Sequence, residues 1–262
     1  MDSARLRAWF EASFAGEVTA EIVRLEIVER SLALASKLFV AVIPLSIIIS
    51  AMVPGTDNFG DSLVNRFGLT GPGAQATRTL FATEGEIRSA VSALGLVILF
   101  YSVFSFAKGL QRIYLDIWRL PAQQFEAVVR RAAWVLSFVV FTALLRPLRD
   151  FTDQHDLPLS GLTIAFVFGA VLWVWTPYLL LGRRVPWRRL LPTGILTTAT
   201  VALYSIGCEI FLPEIFTTNA ERYGLIGIAF GLVTYLFGYA LVVVSTAVVT
   251  GAWDRHRALQ AD

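Results

Sequence analysis

The sequence predicts an all-α, polytopic integral membrane protein: six transmembrane helices, an N-terminal amphipathic helix, and short helices in the first outer loop. Three observations predict it. Hydrophobic residues make up 56% of the 262 and charged residues only 16%, where soluble domains carry about 25% charged residues. Apolar stretches recur along the chain at lengths near the roughly 20 residues that cross the hydrocarbon as a helix. Basic residues gather on alternate connections between those stretches, as they do on the cytoplasmic side of a membrane.

Residues 1–31 read as a cytoplasmic amphipathic segment. Val18, Ile22 and Leu25 recur at helical spacing among Arg5, Arg7, Arg24, Arg30 and five glutamates. The mixed charge argues against a strongly lipid-binding basic helix, and a solvated helix continuing into the first span fits equally. The segment lacks the short basic region and apolar core of a cleaved signal, so the first span is expected to stay as an anchor.

Residues 32–251 form the membrane domain. The first span, about 32–53, contains one charge, Lys37, and one proline, Pro44. Its 12 Leu, Ile, Phe and Val residues favour insertion by about 0.3 to 0.6 kcal/mol each, against about 3 kcal/mol for a central lysine, so insertion wins. The polar, Gly- and Pro-rich connection that follows includes Leu63, Val64, Phe67, Leu80 and Phe81, which predicts short helices as a cap or a lid. The second span, about 90–110, carries small residues at Gly95, Ser102 and Gly109, a stripe for close packing in lipid. The third, 132–145, has only 14 uncharged apolar residues, a rise of about 21 Å, between Arg130, Arg131 and Arg146. Snorkelling arginines explain the shortfall; so does a water-filled outer vestibule lined by Arg146 and Arg149.

The fourth span, about 161–181, combines Gly161, Ala165 and Gly169 at four-residue intervals with an aromatic end and Pro177, which is expected to bend or end the helix. A turn with four arginines leads into the fifth, about 190–211, with Pro192 near its start. The sixth, about 225–249, places Gly227, Gly231 and Gly238 on one face, a helix interface within one chain or between two. Residues 252–262 form a tail. With six spans and the N-terminus inside, 15 basic residues fall on cytoplasmic segments and 6 on outer ones, which predicts a plasma (inner) membrane protein with both termini cytoplasmic.

Three places in the chain resemble the YihY/BrkB membrane proteins, formerly labelled ribonuclease BN. The first is Leu32 to Ile49, leading to Ile43-Pro44-Leu45; the second is Gly95 to Trp118, an apolar helix ending Ile117-Trp118. The third pairs the basic turn Arg183-Arg184-Val185-Pro186-Trp187-Arg188 with Tyr223-Gly224-Leu225-Ile226-Gly227 at the start of the sixth span. The chain departs from the family where many members end span six with Gly-Ala-Glu-x-Asn, because Gly251-Ala252 is followed here by Trp253-Asp254. The resemblance implies a six-helix inner-membrane protein, with export of lipid or amphiphile indicated for some relatives, and it supplies no catalytic residues.

The residues weigh against several function classes. A net charge of +2 is too small to point to nucleic acid. One cysteine, Cys208, excludes an internal disulfide, and two histidines, His155 on an outer loop and His256 in the tail, make neither a metal site nor an acid-base pair. No enzyme, metal or cofactor is therefore expected, and ribonuclease activity is disfavoured. The expected partners are membrane lipids, with a homo-oligomer left open. The transporter or flippase reading rests on Lys37, Arg146 and Arg149 as a binding set for an anionic, lipid-like amphiphile, with Pro44, Pro177 and Pro192 as helix breaks. Lys37 lies about 7.5 Å inside its span, so snorkelling competes with a place in a cavity. A non-transporting scaffold or regulatory protein is the alternative.

Overall fold

The computed structural model describes residues 14–52, 59–66, 69–80, 87–122, 124–154 and 158–261, and among them every regular element is an α-helix. In chain order these are α1 (Phe14–Arg24), α2 (Ile27–Met52), α3 (Phe59–Arg66), α4 (Gly71–Leu80), α5 (Ile87–Ile117), α6 (Gln124–Gln154), α7 (Pro158–Leu180), α8 (Trp187–Tyr223) and α9 (Leu225–Ala261). Among the described residues three helices are long and apolar enough to cross a membrane: α7 at Thr163–Leu180, α8, and α9 at Ile226–Arg257. The predicted spans at 161–181, 190–211 and 225–249 fall on them. Those at 32–53, 90–110 and 132–145 fall on α2, α5 and α6, each partly outside the described side chains. Large apolar side chains point outward along several helices, with Leu136, Leu203 and Phe230 each about two-thirds exposed. Faces of that kind are unfavourable in water and ordinary against lipid.

The 14 apolar residues at 132–145 belong to a helix of 31 residues, about 46 Å long, so the helix itself is not short. Arg130, Arg131, Arg146 and Arg149 all lie on it. Pro177 does not break α7, which runs three residues past it and stops where Gly182 (φ +69°) and Arg183 (φ +61°) turn left-handed. The Arg183 amide donates back to the Tyr178 carbonyl there, closing the helix end.

The chain divides into two compact units. The first comprises Met1–Arg30, Ala107–Val201 and Leu241–Asp262. Within it α6 and α7 pack antiparallel, with Trp134 Nε1 donating to Thr176 Oγ1 (3.2 Å) and the Phe141 and Phe168 rings 5.0 Å apart. α7 and α8 approach closely at two glycines. A Cβ at Gly169 would meet the Thr198 methyl at 2.9 Å, and one at Gly194 would meet the Ala170 carbonyl at 2.7 Å. α8 and α9 are joined by hydroxyl pairs at one register, Thr193 with Thr250 (2.8 Å) and Thr197 with Thr246 (2.9 Å), all four buried.

The second unit comprises Ser31–Phe106 and Ala202–Ala240. Its core is apolar: Ala35 of α2, Val64 of α3 and Ala74 of α4 cluster with Cys208, Leu212 and Phe216 of α8 and Ile228, Leu232 and Leu236 of α9. Glycines again set the spacing. Gly231 faces the Phe216 ring, 3.1 Å from a built Cβ, and a Cβ at Gly238 would strike the Tyr204 hydroxyl and ring. Gly227 lies so close to the Asn219 carbonyl that no side chain fits. These three glycines thus serve packing inside the chain.

Candidate functional site

The polar chemistry of the first unit concentrates on Glu21, a carboxylate with 4% of its side chain exposed. α1 presents it because Glu17 and Glu21 fall one turn apart, beside the stripe that buries Gly16. Three guanidiniums converge on it. Arg24, one turn on, forks onto Oε2 at 2.8 Å from Nε and 2.6 Å from NH2. Arg119 donates to Oε1 at 2.7 Å, and Arg255 of α9 lies 3.1 Å from the same oxygen. Burial pushes the Glu21 carboxyl up, but the hydrogen bonds from Arg119 and Arg24 and the charge of Arg255 outweigh it and hold the group below its ordinary range. Glu21 therefore stays ionised near neutrality, a fixed anion rather than a proton carrier.

Arg119 reaches Glu21 because it occupies the left-handed conformation (φ +51°) that ends α5, a position usually given to glycine. For a non-glycine residue that costs on the order of 1 kcal/mol, which its ion pair offsets. Around this centre Arg255 also pairs with Glu17 (3.3 Å) and donates to the Ile117 carbonyl (2.8 Å), while His256 Nδ1 lies 3.7 Å from Glu17 and its ring meets Phe14 edge-on. Arg30 pairs with Asp116, whose carbonyl also accepts from Arg24. The cluster ties α1 to the ends of α5 and α9. Four arginines face three carboxylates, so it is nearly neutral.

A second polar pin lies at Gln111 of α5, 4% exposed, which donates to the Leu180 carbonyl of α7 (2.8 Å) and accepts from Arg131 of α6 (2.7 Å). The turn leading into α8 is fixed by Arg184, bonded to the carbonyls of Leu181 (3.0 Å) and Pro121 (2.9 Å). Its neighbours Arg183, Trp187, Arg188 and Arg189 are exposed.

The residues singled out from the sequence are distributed as follows. Lys37 lies on α2 in the second unit, half-buried, on the helix whose Leu38, Phe39 and Val42 pack against the apolar core. Arg146 and Arg149 lie on α6 and Pro44 on α2, and their side chains fall outside the described ones. Gly95 lies on α5, also outside the described surroundings. Pro192 lies in the first turns of α8. Trp118 follows α5 with its ring 5.8 Å from Tyr114; Pro186 precedes α8 and Trp187 opens it; Tyr223 ends it, and Gly224 (φ +58°) makes the turn to α9. Sequence reasoning missed Glu21, Arg119 and Arg255. The one available signal was Glu17 and Glu21 at i, i+4 beside an apolar stripe, a pattern shared by many solvated helices. No protein-family model, curated protein or solved structure matches the chain.

Proposed function

We propose that the chain is a six-span inner-membrane protein of the YihY/BrkB type, with both termini cytoplasmic, that binds and moves an anionic, lipid-like amphiphile. The observation that carries this reading is Lys37: the one charge in the apolar run 32–53, half-buried on a helix whose Leu38, Phe39 and Val42 pack against an apolar core. Charged side chains are rare within membrane helices, and where they occur they mark functional sites. In this reading Lys37 is a contact for the phosphate or carboxylate of an amphipathic substrate whose tail lies in the surrounding hydrocarbon. Arg146 and Arg149 are the proposed receiving pair on the outer side.

The test is native mass spectrometry of the full chain from nanodiscs, comparing wild type, Lys37→Ala and Lys37→Arg for co-purified lipid and subunit number. A head-group-selective adduct that Lys37→Ala loses and Lys37→Arg restores supports the site. Bulk lipid unchanged by either substitution eliminates Lys37 as a ligand and transfers the proposal to a non-transporting scaffold.

A further inference from the structure

Where α8 begins and α9 ends, the first unit carries an exposed cluster of arginines and tryptophans that the Glu21 network does not absorb. Trp187, the first residue of α8, is 51% exposed, and the Arg188 guanidinium lies over its ring at 5.6 Å. Trp253, on α9, is 37% exposed, and the Arg257 guanidinium lies over its ring at 4.0 Å. Arg189 and Asp254, 3.9 Å apart, hold the two helix ends side by side. The left-handed turn at Gly182 and Arg183 leaves Arg183 exposed beside them.

The charge balance distinguishes this cluster from the buried one. Among the described residues Arg183, Arg188 and Arg257 lie within ion-pair distance of no carboxylate, and Asp254 faces only Arg189. Stacking on an indole orients a guanidinium and leaves its N–H edge directed outward, the geometry that takes a phosphate on two donors. The location sets the source of that phosphate. α8 and α9 are both apolar enough to cross a membrane, so the tryptophans at their paired ends sit at headgroup depth, where indoles accumulate.

We infer that Arg183, Trp187, Arg188, Arg189, Trp253 and Arg257 form a binding site for the phosphate headgroup of an anionic phospholipid in the bilayer. The arginines take the phosphate, and the two indoles cover the glycerol and the first methylenes. The site depends on α8 and α9 crossing the membrane, and on neither transport nor Lys37.

The full chain in phosphatidylcholine nanodiscs, titrated with phosphatidylglycerol and read by native mass spectrometry, tests it. Wild type is expected to retain phosphatidylglycerol in preference to phosphatidylcholine. Each surface arginine contributes about fivefold to binding of an anionic lipid, so R188Q/R257Q should weaken retention by about 25-fold, and Lys108→Gln, exposed elsewhere on the first unit, much less. R188K/R257K should fall between, because charge remains but the paired donors are lost. Unchanged preference in R188Q/R257Q overturns the site. Displacement of phosphatidylglycerol by inorganic phosphate at comparable concentration overturns the lipid as its occupant. Should R188Q/R257Q not purify, a wild-type preference unaffected by raised salt would overturn it equally.

Discussion

The two compact units join α8 to α9 by different means. In the first, the α8 and α9 segments meet through buried threonine pairs, and α1 is fastened by ion pairs around Glu21. In the second, the same two helices meet through glycines and aromatic rings: Gly231 against Phe216, and Gly238 against Tyr204, whose hydroxyl donates to the Tyr235 carbonyl at 2.8 Å. Hydrogen bonds and ion pairs are directional and weak one by one, so these contacts of the first unit should yield gradually to substitution. Close packing has no tolerance for added volume, so the α8–α9 contact of the second should yield abruptly.

Gly238→Val is the severest way to break that contrast. The new side chain would enter the Tyr204 ring, which is stacked on Tyr235 at 5.9 Å and cannot retreat without losing that stack. A loss of about 3 kcal/mol is expected, read as a fall in thermal midpoint in detergent or nanodiscs. Glu21→Gln comes next. It leaves Arg255, 22% exposed, facing a neutral amide, but Arg119 and Arg24 are 62% and 46% exposed and water screens them. About 2 kcal/mol is therefore expected rather than the 3 to 5 of a fully buried pair. Hydrogen exchange should show opening at residues 14–24 and not in the second unit.

The pH dependence sharpens the same contrast. The Glu21 carboxyl is held below its ordinary 4.5, so its contribution is complete above that value and is lost as pH falls through the lower folded one. The gap in thermal midpoint between wild type and Glu21→Gln should be constant from pH 7 to about 5 and close as pH falls below 4.5. A gap that stays open in acid would remove electrostatics as its cause. The smallest effect expected is that of Thr197→Val, which keeps the volume and loses one interhelical hydroxyl bond, at about 0.6 kcal/mol.

Much of the helical organisation was legible because apolar runs have a length and a period. The ranges 161–181, 190–211 and 225–249 coincide with α7, to within one residue, α8 and α9, and the connection from α2 to α5 contains two short helices, α3 and α4, linked by Arg78 and Asp61 (2.7 Å). The 14 apolar residues at 132–145 did not reveal the length of their helix, because the backbone carries its hydrogen bonds through Arg130 and Arg146 regardless of side-chain charge. Pro177 is expected to bend or end its helix, and α7 continues through it and ends three residues later, at Leu180. The proline sits in the last turn, where little helix remains to disturb. The glycine stripes were read as packing surfaces; which residue fills each was not readable. Phe216 and Tyr204 lie on another helix, set by the antiparallel register of α8 and α9.

By itself the sequence determined an all-helical chain too apolar for water, and where its longest helices lie, because both follow from local composition and a 3.6-residue period. Only the tertiary structure decided which charges are spent. Glu21 and Arg255 are separated by more than 230 residues of sequence and meet because α1 lies against the end of α9. Arg184 serves backbone carbonyls while Arg188, four residues on, rides over an exposed indole. In sequence these arginines are equivalent. Burial and partners, which are properties of the folded chain, separate the ones that fasten it from those left facing outward.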